Sequence, residues 1–121
     1  FFKRVNDTYG HTAGDEALRS LAETCRKTIR PYDILGRFGG EEFVILTPDA
    51  TETEGRSLAE RLRLAVEHTP VPTAAGGEIR LTVSVGCTVV RQDDSLDDLL
   101  RRSDSALYES KNTGRNKVSF A

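Results

Sequence analysis

The segment ILGRFGGEEFVIL, residues 34–46, constrains the fold more than any other stretch of the chain. Two apolar runs flank Gly39-Gly40, a pattern that predicts a β-hairpin with a two-residue turn, because glycines reach the positive φ values that such turns demand. Directly past the tip stand two consecutive carboxylates, Glu41 and Glu42, and like charges side by side repel. One explanation is a wet, charged hairpin end. The other is a hard divalent cation, since Mg2+ takes one or two carboxylates together with phosphate oxygens. On a strand the two glutamates point to opposite faces, so only one of them can serve such a site.

The remaining elements follow from periodicity. From Gly14 to Ile29, Leu18, Leu21, Ala22, Cys25 and Ile29 share one helical face. Thr12 is the expected N-cap, Asp15 and Glu16 suit the positive end of the helix dipole, and Pro31 ends the helix. A second amphipathic helix is predicted from about Thr53 to Thr69, followed by a loop with Pro70, Pro72 and Gly76-Gly77. EIRLTVSVGCTVV alternates and is β-branched, which predicts one long strand. Ser95 caps a third helix that turns Leu96, Leu99, Leu100, Ala106 and Leu107 inward. Gly114 marks its end, and KVSF forms a last strand. The order is that of a single domain with a mixed sheet and helices packed on it, an α/β (α+β) class.

Composition narrows the function classes. The chain has 121 residues, with Lys+Arg 17 against Asp+Glu 19 and a formal charge of -2. That balance gives no overall basic field for nucleic acid, and the few aromatics are too scattered for a stacking platform. A few placed cations still suffice for a local phosphate site. Cys25 and Cys87 belong to no CxxC or Cys/His cluster and read as reduced, packed thiols of a cytoplasmic protein. No apolar run approaches a membrane span. The chain opens on Phe1-Phe2 without Met, and so apolar a start predicts further sequence upstream.

Two more constellations carry chemistry. In NDTYGHTAGDEAL, Asn6 and Asp15 can pair with a guanine edge, whose N–H donors a carboxylate accepts and adenine lacks, with His11 in the same stretch. Local roles are open to each as well: turn formation for Asn6, a loop position for His11, the helix dipole for Asp15. In YESKNTGRNK, Lys111 and Arg115 flank a helix end, where two cations can converge on a phosphate or simply complement the dipole.

FKRVNDTYGHTAGDEAL, RPYDILGRFGGEEFVIL, LTVSVGC and DSALYESKNTGRNKV, in this order and spacing, together resemble the GGDEF family of diguanylate cyclases over essentially the whole chain. The resemblance implies a nucleotidyl-cyclase-like fold: a mixed sheet of ferredoxin-like topology flanked by helices, with GGEEF on a β-hairpin at the active site. It implies condensation of two GTP into cyclic di-3′,5′-GMP with loss of two pyrophosphates, at the interface of a homodimer. Carried over, Glu41 matches the acid that binds Mg2+ (or Mn2+) and activates the attacking 3′-OH, and Lys3 a lysine over the triphosphate. Asn6, His11 and Asp15 match the guanine-binding motif, and Lys111 and Arg115 the phosphate contacts. A side chain at Gly39 or Gly40 is expected to crowd a nucleotide lying over the turn. Arg30 and Asp33 of RPYD match an RxxD site where cyclic di-GMP binds as allosteric inhibitor.

The family pattern begins earlier than Phe1, with a strand that carries a second metal-binding aspartate. The expectation is therefore a GGDEF domain over residues 1–121 lacking its N-terminal helices and first central strand, inactive by itself. A sensor domain, and any membrane anchor, is expected on the N-terminal side. The alternative is a non-catalytic module that binds GTP or cyclic di-GMP for regulation.

Overall fold

The computed structural model describes residues 7–8, 10–73 and 76–121. Among the described residues the helices α1 (His11–Thr28), α2 (Glu52–Glu67) and α3 (Leu96–Asn112) are interspersed with six short strands. The strands are β1 (Ile34–Arg37), β2 (Phe43–Leu46), β3 (Val71–Pro72), β4 (Glu78–Ile79), β5 (Val85–Cys87) and β6 (Val118–Phe120). They pair as β1-β2 and β3-β4, both antiparallel, and β5-β6, parallel. The chain falls into two compact units: one holds residues up to Pro48 with Ala65–Leu81, the other Asp49–Leu64 with Thr82–Ala121.

In the first unit, α1 buries Ala13, Ala17, Leu21 and Cys25, four positions of one helical stripe. Val66, Val71, Ile79 and Leu81 are the other buried apolar residues described in this unit. The helix starts earlier than its sequence suggests. Gly10, at φ 92°, is the N-cap, so Thr12 lies inside the helix and Asp15 beyond its first turn. A glycine in that left-handed conformation turns the chain into the helix without a side-chain cap. At the far end Arg26 and Lys27 complement the dipole, and Ile29 N–H bonds Cys25 O at 3.0 Å before Pro31.

In the second unit, α2 opens on a reciprocal cap, with Thr51 Oγ1 accepting from Glu54 N at 3.1 Å and Glu54 Oε1 from Thr51 N at 3.1 Å. The expected Ser95 cap of α3 is present in the same form, paired with Asp98. Ala106 is buried and Leu99, Leu100 and Leu107 are half-buried, but Leu96, the first residue of the helix, is exposed. The helix lies directly on β5: a Cβ on Gly86 would stand 2.2 Å from Leu107 N and 2.3 Å from Ser103 O.

The long strand expected over residues 78–90 is two short ones. Alternation sets where side chains point, but a strand also needs a backbone partner. Residues 80–84 have none among the described residues, while β4 pairs with β3 and β5 with β6. No helix is long and apolar enough to cross a membrane among the described residues.

Candidate active site

The hairpin forms as expected, in the register Ile34↔Leu46 to Arg37↔Phe43, but its connection is longer than two residues. Residues 38–42 form it, closed by Phe38 N–H to Glu42 O at 2.7 Å and Glu42 N–H to Gly39 O at 3.0 Å. Gly39 and Gly40 take φ 69° and 37°, which their lack of a side chain permits. Glu41 and Glu42 thus precede β2, and strand alternation does not separate them. Glu41 occupies the tip of the turn and Glu42 its closing position, both exposed. A Cβ on Gly39 or Gly40 would meet nothing within 4 Å, so the space over the turn is open and a methyl group there would project into it.

Arg37, at the end of β1, was not singled out by the sequence patterns. Its Nε and Nη2 donate to Gly40 O at 2.8 and 2.5 Å, folding the side chain back over the turn. This fixes the peptide plane that joins Gly40 to Glu41. The signal available in the sequence was only spacing, an arginine three residues before the glycine whose carbonyl it binds.

Beside the hairpin, within the same unit, a cleft of about 350 Å³ runs between α1 and the two strands. Asp15, Arg19 and Arg26 line it from the helix, and Arg37 and Phe43 from the strand pair next to the turn. Leu18, Ala22 and Leu35 make its apolar wall. Asp15 and the hairpin, twenty-odd residues apart in sequence, are brought to one surface. A carboxylate acceptor, guanidinium donors and an apolar wall suit a flat, hydrogen-bonding base and an anionic group. His11, exposed, is the first residue of α1. Lys3 and Asn6 lie outside the described residues.

Arg30 and Asp33 are placed together, and they bind each other. Asp33 accepts from Arg30 Nε at 3.1 Å through both oxygens, from Nη2 at 2.9 Å and from the Arg30 backbone N–H at 2.8 Å. Its side chain is 0% exposed. The Arg30 hydrogen bonds hold its carboxyl below the usual carboxylate range, against the opposing effect of burial. Arg30 also donates to Pro48 O at 3.0 Å and stacks 4.5 Å above the Tyr32 ring.

Lys111 and Arg115 belong to the second unit, Lys111 half-buried in the last turn of α3 and Arg115 exposed just beyond it. Gly114, Arg115 and Asn116 take φ 120°, 60° and 47°, a left-handed reversal that ends the helix. Arg115 N–H donates to Ser110 O at 2.9 Å, and Asn116 Oδ1 accepts from Arg63 Nη1 at 3.1 Å.

No three His, Cys, Asp or Glu side chains gather into a metal site among the described residues. Glu41 on its open turn fits a Mg2+ that takes one protein carboxylate and completes its shell with phosphate oxygens and water.

An α+β domain of this sequence and fold has counterparts among known proteins. The family model described as diguanylate cyclase, GGDEF domain, matches residues 1–117, and the chain belongs to that family. It is 40% identical over 120 residues to the response regulator PleD of Caulobacter vibrioides, covering 98% of this chain and 26% of PleD. It is 44% identical over 117 residues to the diguanylate cyclase DgcM of Escherichia coli, covering 97% of this chain and 28% of DgcM. The chain therefore spans about a quarter of the length of these relatives. Among solved structures, the diguanylate cyclase SiaD of Pseudomonas aeruginosa, in complex with its activator SiaC, superposes with a TM-score of 0.95 at 38% identity, over 100% of this chain and 46% of that one. The GGDEF domain of DgcB from Caulobacter crescentus, in complex with c-di-GMP, gives 0.93 at 31% identity, over 98% of this chain and 71% of that one. The expected nucleotidyl-cyclase-like fold is the fold of these domains.

Proposed function

We propose that this domain condenses two GTP into cyclic di-3′,5′-GMP, each of two copies binding one nucleotide and the pair meeting about a two-fold axis. The observation that carries the reading is the meeting of Asp15 with the Arg37-braced hairpin on one cleft, beside the open turn that presents Glu41. In each half-reaction the 3′-oxygen of one nucleotide forms a bond to the α-phosphorus of the other. The bond from that phosphorus to the bridging oxygen breaks, and pyrophosphate leaves with the electron pair. The 3′-OH proton passes to the Glu41 carboxylate. The step occurs twice, which is the chemical reason for two-fold symmetry. Positioning and charge neutralisation supply most of such catalysis.

Asn6 and Asp15 read guanine with His11 beside them, Lys111 and Arg115 hold the phosphates, and Lys3 meets charge developing on the triphosphate. Glu41 would hold Mg2+, or Mn2+, which when bound neutralises phosphate charge. A second carboxylate upstream of Phe1 belongs to this reading, as does a sensor domain that controls the copies' encounter. Cyclic di-GMP feeds back at Arg30 and Asp33. Because Asp33 is already saturated by Arg30, the product must open that pair or bind Arg30 from its exposed side.

Turnover of GTP by the chain with its natural flanking segments tests the assignment. Glu41→Gln should abolish cyclic di-GMP formation and retain cyclic di-GMP binding, whereas an unchanged rate would refute the role of Glu41. If neither the parent nor any variant turns GTP over but all bind cyclic di-GMP, the domain is a binding module. Turnover by residues 1–121 alone at the flanked chain's rate would remove the need for an upstream carboxylate.

A further inference from the structure

Ser110, in the last turn of α3, is 0% exposed, and its hydroxyl is fully used. Close packing of α3 on Gly86 brings the helix within reach of the sheet. Ser110 Oγ donates to Val85 O at 2.9 Å and shares a 2.7 Å hydrogen bond with Ser119 Oγ, so one side chain ties the helix to both β5 and β6. Its carbonyl has a separate partner, the N–H of Arg115 at 2.9 Å, and this bond encloses Gly114 and ends at Arg115, within the left-handed reversal of Gly114, Arg115 and Asn116. Arg115 and Asn116 are not glycines, so their positive φ persists only where neighbouring contacts hold it. Lys111 follows Ser110 directly in the helix.

We infer that Ser110 is a positioning residue for the phosphate subsite: anchored to both strands through its hydroxyl, it sets where Lys111 and Arg115 stand for a triphosphate. The inference rests on the phosphate role proposed above for those two cations. A pre-placed pair of long side chains loses less freedom when the ligand arrives, and that saving appears as affinity. The effect is specific to phosphate, since the partners of the Ser110 hydroxyl, Val85 and Ser119, belong to β5 and β6 of its own unit.

Calorimetric titration with inorganic tripolyphosphate, and separately with guanosine, provides the test. Ser110→Ala should weaken tripolyphosphate binding about fivefold, the factor a single net hydrogen bond is worth, and leave guanosine binding unchanged. In the chain with its natural flanking segments, KM for GTP should rise by the same factor at unchanged kcat, the pattern of lost uniform binding. A merely structural serine would lower the melting temperature and leave the affinity of folded protein intact. Ser119→Ala removes one of the two anchors without touching α3 and should weaken tripolyphosphate binding about twofold, with the double variant no worse than Ser110→Ala alone. Lys111→Ala and Arg115→Ala serve as references. If they weaken tripolyphosphate binding while Ser110→Ala, or Ser119→Ala should the former not fold, leaves it unchanged, the positioning role is overturned. If the reference variants have no effect, the phosphate reading itself falls and this inference with it.

Discussion

Arg30→Ala separates the structural role of the RPYD turn from any role in ligand capture. The substitution removes the guanidinium contacts to Asp33 at 2.9 and 3.1 Å and leaves one donor, the Arg30 backbone N–H at 2.8 Å. Stranding one partner of a fully buried ion pair costs about 3–5 kcal/mol. Arg30 is 27% exposed, and its truncation opens a path for water to the carboxylate, so the expected loss is nearer 2 kcal/mol. For a domain of this size that corresponds to a melting temperature about 8 °C lower.

The pH dependence gives the sharper signature. In the parent, Asp33 has a folded pKa below its ordinary value of 3.8, so the unfolded chain binds more protons in that range. The pair's contribution is therefore present in full above that ordinary value and is lost as pH falls through the lowered folded value. In Arg30→Ala burial is opposed only by the remaining backbone N–H, the weaker of the two effects, and raises the pKa, so the folded variant takes up a proton more readily than its unfolded chain. The stability gap between parent and variant should be widest near neutral pH and close as the carboxyl protonates. Chemical unfolding followed by far-UV circular dichroism from pH 3 to 7 measures it. A gap that stays flat across that range, or never exceeds about 0.5 kcal/mol, would refute the claim that Arg30 compensates a buried carboxylate.

Other outcomes follow from single contacts. Gly86→Ala places a methyl group 2.2 Å from Leu107 N, and with backbone on both sides the loss should be about 3 kcal/mol in denaturant titration; a near-neutral effect would mean that α3 does not lie directly on β5. Ser95→Ala removes the α3 cap and should cost about 1 kcal/mol, visible in the same titration, with Ser95→Asp recovering most of it. Burial pushes the thiols of Cys25 and Cys87 up from 9.0 to about 11, so at pH 8 both should react with iodoacetamide about a hundredfold more slowly than in the unfolded chain; equal rates would show that they are not packed.

Much of the local structure was written in short-range patterns. The burial of Leu21 and Cys25 on one face of α1, the Ser95–Asp98 capping box and the hairpin around Gly39-Gly40 each depend on residues a few positions apart, whose geometry is the same in any fold, whereas Leu18, Ala22 and Ile29, expected on the same face, are only half-buried. The family motifs were legible for the same reason, since chemistry that needs fixed spacing leaves a fixed pattern. Other features depended on partners far along the chain. EIRLTVSVGCTVV could announce a strand but not that β4 would pair with β3 and β5 with β6. The length of the GGEE turn turned on where the β1-β2 ladder stops, and the brace from Arg37 to Gly40 exists only once that turn is closed. Tertiary structure alone brought Asp15 to the hairpin's cleft and buried Asp33 beneath Arg30. It also placed Ser110 against two strands. The sequence by itself determined which chemical groups this protein has and how they are spaced along the chain. Which of them share a surface, and which are used up holding one another, was decided by packing, because burial and long-range hydrogen bonds are properties of the folded chain.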